Sequence, residues 1–304
     1  MQATVVVSCY KQEKYVKDCL DSILEQKTDF EFDILVSDDC SPDNTPKVLK
    51  AYQQNYPDRI RLILRAENVG PAKNYIDAHN QALGDIVFHI DGDDVMLPGK
   101  LQEQYNQFRD DPTVNLVFHR ANYFSDDLQC NMITGIPYLL RDGILRFDLK
   151  DLALWGSITV HSAYAYRRSS RKTRTLQREF MEWFFAMDSL MPDGRAIYLD
   201  KVLVKYRLNA GSDAYLSSRS GRIKSYTIYF SDILHYHQIS PDLRTRLYAN
   251  CLFTVLAMYR AKCGLSKTAF LYLLKNLIYF RPNLLVATYK MRNSVRPRKR
   301  TDCE

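Results

Sequence analysis

The stretch "VFHIDGDDVMLPGKL", Val87 to Leu101, sets a short apolar run directly against three acids, Asp91, Asp93 and Asp94. Such a run reads as the end of a buried strand. Placing several carboxylates at a buried strand end is costly unless something compensates them. The stretch is therefore either an acidic surface turn or a place where a metal ion and phosphates sit, and its surroundings decide between the two.

Upstream, strands and helices alternate. "TVVVSCY" is a β-branched apolar run, and "KYVKDCLDSILEQ" carries Val16, Leu20, Ile23 and Leu24 at helical spacing. "FDILVSDD" is a second strand, closed by the turn formers of "CSPDNT". "PKVLKAYQQNY" predicts a second helix, with Pro46 near its start. "IRLILRA", "NVGPAKNYIDAHNQAL" and "DIVFHI" continue as strand, loop with helix, and strand. Strand–helix repetition with short links implies an α/β fold, a mostly parallel sheet flanked by helices. Downstream, "LPGKLQEQYNQFRDD" predicts a helix, while "VNLVFHRANYF" and "GRAIYLDKVLVKYRLN" predict strands. From about Arg219 the composition changes to Leu, Tyr and Phe at helical spacing with basic residues between them, which reads as two or three helices.

The chain has 304 residues, enough for one large domain or a medium domain with an appendage. The net charge is +7, and Lys290, Arg292, Arg296, Arg298, Lys299 and Arg300 crowd the C-terminal end. A basic tail suits anionic lipid or nucleic acid, or is simply solvated. Seven cysteines with no C-x-x-C pair argue against a disulfide framework or zinc knuckle and fit a reducing cytoplasm. The opening "ATVVVSCY" is too short and wrongly flanked for a signal peptide. "ANCLFTVLAMY", Ala249 to Tyr259, is about half the length a bilayer span needs. The chain is expected in the cytoplasm, in contact with the inner face of the membrane if its basic C-terminal segment binds lipid.

In open α/β sheets ligands bind beyond the carboxyl ends of the strands. Ser8, Cys9 and Tyr10 close the first strand, Asp38 and Asp39 the second, and Asp91, Asp93 and Asp94 the fourth. Two acidic groups at one sheet edge repel each other, and a divalent cation offsets that repulsion. Carboxylate ligands suit Mg²⁺ or Mn²⁺ with substrate phosphates completing the shell.

The ordered series "VVVSCYKQEKYVKDCLDSILEQ", "DILVSDDCSPDNT" and "ENVGPAKNYIDAHNQALGDIVFHIDGDDVMLPGKL" resembles the family 2 inverting glycosyltransferases, over roughly residues 1 to 212. The resemblance implies the GT-A nucleotide-diphospho-sugar transferase fold for residues 1–212, with 213–304 as a C-terminal helical segment. It implies transfer of a sugar from a nucleotide-diphospho-sugar, UDP-linked by expectation, to a hydroxyl of a glycan or lipid-linked acceptor in surface polysaccharide synthesis. Nucleic acid is not an expected partner. Carried onto this chain, Ser8, Tyr10 and Glu13 lie under the nucleotide, Asp39 bonds the base and Lys73 sits near the diphosphate. Asp91 faces the ribose or diphosphate and, with Asp93, takes the metal, while Asp94 supports the loop. Lys11 stands where the family usually has Asn, and Lys73 where it often has Arg.

Inverting transfer also needs a base to take the acceptor proton. "REFMEWFFAMDSLMPDGRAIYLDKVLVKYRLNAGS" resembles the family's base region, with Glu182 before Trp183 as the matching acid and Glu179 and Asp188 as alternatives. Asn209 occupies a position where the family often has a metal-associated His. "WGSITVHSAYAYRRSS" resembles the acceptor side, where Trp155 and His161 are expected to shape the pocket. From the residues alone, Tyr10 also fits strand-end packing, Glu13, Lys73 and Glu182 solvated surface, and Asp39 a helix cap. A sugar nucleotidyltransferase would instead need a glycine-rich basic loop after the first strand, and "SCYKQEKY" has no glycine. A carbohydrate-binding protein without catalysis would have no use for the whole set of acids.

Overall fold

A computed structural model describes residues 2–125, 131–171, 178–208, 219–264 and 266–299. The first half lays down β1 (Ala3–Cys9), α1 (Val16–Leu24), β2 (Phe32–Asp38), α2 (Thr45–Asn55), β3 (Ile60–Leu64), α3 (Pro71–Asn80) and β4 (Ile86–Asp91). After the acidic turn come β5 (Val95–Met96), α4 (Lys100–Asp110), β6 (Val114–Phe124), β7 (Asn131–Ile133), β8 (Ile144–Asp148) and α5 (Leu149–Trp155). Then follow β9 (Tyr164–Arg167), α6 (Glu182–Ser189) and β10 (Arg195–Arg207). The last described part holds α7 (Arg219–Ile239), α8 (Arg244–Arg260), α9 (Lys267–Lys275), α10 (Pro282–Ser294) and the short β11 (Arg298–Lys299).

One sheet carries the fold. β1 lies between β2 and β4, parallel to both, and β3 continues the parallel half. Beyond β4 the sheet becomes mixed, because β9 inserts antiparallel between β4 and β6 while β10 runs parallel to β6. Successive side chains of a strand point to opposite faces, and here both faces are buried. Val5, Val7, Phe88 and Ile90 pack on one side with Leu20 and Ile23 of α1, Leu49 of α2 and Leu101 of α4. Val6 and Val87 pack on the other side with Tyr75 of α3, with α5 and α6, and with the C-terminal helices. Double burial explains why these strands read as unbroken apolar runs.

The C-terminal helices number four among the described residues, where the composition suggested two or three. Lys262 and Gly264 turn through positive φ after α8, and Pro282 opens α10 at its first turn, so a continuous Leu/Tyr/Phe run is divided twice. Their inner faces share the sheet's core: Tyr236 donates to the Phe184 carbonyl at 2.7 Å and Asn250 Nδ2 to the Ala153 carbonyl at 2.9 Å. Fully buried Ile233 and Leu247 each contribute roughly 1.5–3 kcal/mol to that docking. β11 ties the basic tail to the sheet by pairing with β7. The expected boundary at residue 212 lies outside the described residues.

Candidate active site

The parallel register brings the acids together. Ser8 lies opposite Ser37 on one side and Asp91 on the other, so the strand ends carrying residues 8–10, 38–39 and 91–94 form one edge. Gly92 is required between the acids: a Cβ there would meet Gln12 Oε1 at 2.4 Å and Cys9 Sγ at 2.6 Å. Its N–H donates to the Ser8 carbonyl at 2.9 Å, which folds the acidic turn back over β1. Arg207, at the end of β10, holds the turn from the far side. Its N–H donates to Asp94 Oδ1 at 2.8 Å and its Nε to the Asp93 carbonyl at 2.9 Å.

On the nucleotide side Asp39 is buried, and its two oxygens accept the N–H groups of Val69 and Gly70 at 2.8 and 2.9 Å. Each oxygen keeps a second lone pair. Glu13 accepts from Asn44 N and Nδ2 at 2.8 and 3.0 Å, linking the loops that follow β1 and β2. Tyr10 is 38% exposed, its ring free to meet a ligand, with the Lys11 ammonium 5.0 Å above it. Lys11 has φ +56°, a left-handed conformation that Asn tolerates better than Lys, which gives the family's preference there a physical reason. Lys73 sits on the first turn of α3 with its ammonium 2.6 Å from Asp77.

Asp91 is a third exposed and Asp94 is buried. Burial and the charge of Asp91 push the Asp93 carboxyl well above the usual range, to about 7. Burial, with Asp93 and Asp91 adding to it, also raises the Asp94 carboxyl well above its usual range. A cation at Asp91 and Asp93 would relieve the repulsion between them, and hard carboxylate oxygens match Mg²⁺ or Mn²⁺. The residues present fit such an ion. Ring or carboxylate atoms of His89, Asp91 and His161 also lie within 4.8 Å of one another. Both nitrogens of His89 are already engaged, so it acts as a support rather than a ligand.

That support is a buried chain. His89 Nε2 lies 3.1 Å from Asp91 Oδ1, His89 Nδ1 3.0 Å from His79 Nε2, and His79 Nδ1 2.8 Å from the Tyr166 hydroxyl. A carboxylate can only accept, so Tyr166 donates to His79, His79 to His89 and His89 to Asp91. Burial holds both imidazoles below their ordinary pKa, in the neutral form this order requires. Asp91 N–H also donates to Ser162 Oγ at 3.0 Å.

Glu182 lies across this chain. His161 stacks on His89 with ring centroids 3.9 Å apart, and its Nδ1 is 3.9 Å from Glu182 Oε1. Glu182 is the first residue of α6, its side chain 39% exposed. The apolar surroundings push its carboxyl up to about 7, with Asp91 and Asp232 adding repulsion. Asp232, fully buried on α7, accepts the Met181 N–H at 2.8 Å and Arg178 at 2.6 Å, and so sets the start of α6. Glu179 points elsewhere, paired with Lys224 at 2.7 Å, and Asp188 is buried on α6. Trp155 does not shape a pocket: it is 3% exposed and packs on Phe147, because the apolar face of α5 is turned into the core. Asn209 lies outside the described residues. His79, His89 and Asp232 escaped the sequence reading. His89 sits inside an apolar run and His79 in an ordinary amphipathic helix, and Asp232 acts across 51 residues on Met181.

A sequence profile of glycosyl transferase family 2 matches residues 4–174, more than half of the chain. The uncharacterized glycosyltransferase alr2836 of Nostoc sp. is 32% identical over 219 residues, 71% of this chain and 64% of that protein. The uncharacterized protein Rv1520 of Mycobacterium tuberculosis is 32% identical over 125 residues, 41% of this chain but only 36% of its own length. In fold the chain resembles Staphylococcus aureus TarS 1–349 in complex with UDP-GlcNAc, with a TM-score of 0.61 over 97% of this chain and 89% of that one at 20% identity. The mannosyltransferase PcManGT from Pyrobaculum calidifontis, in complex with GDP-Man and Mn²⁺, gives 0.55 over 97% and 84% at 20% identity. The GT-A arrangement expected from the sequence is the one found. The chain belongs to glycosyl transferase family 2.

Proposed function

We propose that the protein is a metal-dependent inverting glycosyltransferase that moves a sugar from a nucleoside diphosphate, most simply UDP, to a hydroxyl of a glycan or lipid-linked acceptor in surface polysaccharide synthesis. One observation carries the reading: Asp91, whose charge helps push Asp93 up to about 7, lies on one side of the His89–His161 stack and Glu182 on the other. Asp93 and Asp91 would hold a divalent cation, which would supply Lewis-acid stabilisation of the leaving diphosphate's charge. Ser8, Tyr10, Glu13 and Asp39 hold the nucleoside and Lys73 approaches the diphosphate. Glu182 accepts the proton of the acceptor hydroxyl while that oxygen bonds to the anomeric carbon on the face opposite the diphosphate. The sugar–phosphate bond breaks in the same step and its electron pair leaves with the diphosphate. A base pushed up to about 7 is well matched to this proton transfer near neutral pH. UDP-GlcNAc in one similar structure and GDP-Man with Mn²⁺ in another support a nucleotide-sugar donor and a divalent ion.

Incubation with a panel of nucleotide sugars and Mn²⁺, read as released nucleoside diphosphate, tests the proposal. One donor is expected to turn over, with inverted anomeric configuration in any transferred product. Turnover of none, or retention of configuration, contradicts it.

A further inference from the structure

The outer side of the C-terminal helices has no role in the chemistry above. On α9, Ala269, Tyr272 and Leu273 face the core. The opposite side is apolar too: Phe270, Leu271, Leu274, Leu277 and Ile278 are exposed, Ile278 at 77%. Their spacing of one, four, seven and eight residues from Phe270 puts them on one stripe that runs through α9 into the following turn. A helix that is apolar all round is ordinarily covered all round, and an exposed apolar patch of this kind marks an interaction site.

Charge identifies what covers it. Between Leu243 and Thr301 the chain has thirteen Lys or Arg residues and no Asp or Glu, whereas the rest has twenty-nine against thirty-five. Exposed Lys262, Lys267, Lys275 and Arg281 bracket the stripe. A second copy docking through this face would bring an equally cationic surface against it, while anionic headgroups would complement the rim as the stripe entered the acyl boundary. Among the described residues no helix is long and apolar enough to cross a membrane, so the contact is with a surface.

We propose that the Phe270–Ile278 stripe and its cationic rim dock the protein on an anionic lipid bilayer. The helices that carry it are joined to the catalytic part through Arg292 of α10, which donates to the carbonyls of Trp155 and Ser157. Those residues lead into the turn that bears His161. Docking needs neither donor nor acceptor, so it is tested apart from transfer. The full chain is pelleted with vesicles of phosphatidylcholine alone and of phosphatidylcholine with one quarter phosphatidylglycerol. Binding to the mixed vesicles only, weakened by salt, is expected. Leu274→Glu with Ile278→Glu, and separately Lys267→Glu with Lys275→Glu, should each weaken it at least about tenfold. All four side chains are exposed, so thermal melting should be unchanged. Three results would overturn the proposal: equal binding to both vesicle types, full binding by either variant, or a wild-type dimer in light scattering that Ile278→Glu dissociates.

Discussion

The two sides of the cleft are built by different means. The proposed donor side lies at three neighbouring strand ends within the first hundred residues, its acids held by nearby backbone and also by Arg207 and Ser162 from later in the chain. Asp39 takes the N–H groups of Val69 and Gly70, and the Asp91–Asp94 turn folds onto Ser8 through Gly92. The base side depends on one glutamate at the start of a short helix. That start is set by Asp232, from a helix that follows the last long strand. In the proposed roles, donor binding rests on a frame laid down mostly in the first hundred residues, while proton removal rests on a contact from α7. Changes on the two sides should separate in kinetics.

The largest effect is expected from Asp93→Ala. Removing a carboxylate that neutralises the cation should lower kcat/KM by about 10³-fold or more. Thermal stability should hold or rise, because the charge of Asp91 and burial both work against an ionised Asp93. An intact melting curve with intact turnover would remove Asp93 from the donor side.

Glu182→Gln should lower kcat by roughly 10²–10⁴-fold and leave the donor KM in place. The base must be ionised, and its carboxyl is pushed up to about 7. Wild-type kcat/KM at saturating metal should therefore rise with pH through about 7 and level above it, and the variant should lose that limb. A shared profile would mean that another group takes the proton.

Asp232→Asn tests the dependence on distant packing. The amide can accept only one of the two hydrogen bonds made by Met181 and Arg178, so about 1–3 kcal/mol of stability should be lost. The start of α6 should loosen, and kcat should fall by about tenfold while the donor KM is unchanged. A raised donor KM instead would show that α7 reaches the nucleotide side.

The smallest effect is on the donor frame itself. Lys11→Asn relieves the left-handed backbone at φ +56° and should raise stability by about 1 kcal/mol with activity unchanged, measured by thermal melting. A destabilised variant would show that the ammonium over Tyr10 outweighs the strain.

The same division governs what the sequence made legible. Strands buried on both faces and turn formers made the sheet legible, and an ordered run of motifs singled out the strand-end acids and Glu182 as candidates, because each is encoded over a few neighbouring residues. The His79–His89 support was hidden because His89 lies in the apolar run "DIVFHI", and its pairing with His79 on α3 leaves no local mark. Asp232 lies in a helix whose polar residues look like any solvated face until its burial is seen. Trp155 misled for the converse reason: an aromatic near an acceptor motif packs inward once α5 is amphipathic. The sequence singled out Glu182 without the Asp232 contact that sets the start of α6.

Calorimetric titration of UDP into wild type, Asp93→Ala and Glu182→Gln, each with and without Mn²⁺, tests the central claim most directly. Metal-dependent binding by wild type and Glu182→Gln, and its loss in Asp93→Ala, is the predicted result. Equal binding by all three proteins, with no response to Mn²⁺, would contradict the division of the cleft into a donor side at Asp93 and a base side at Glu182.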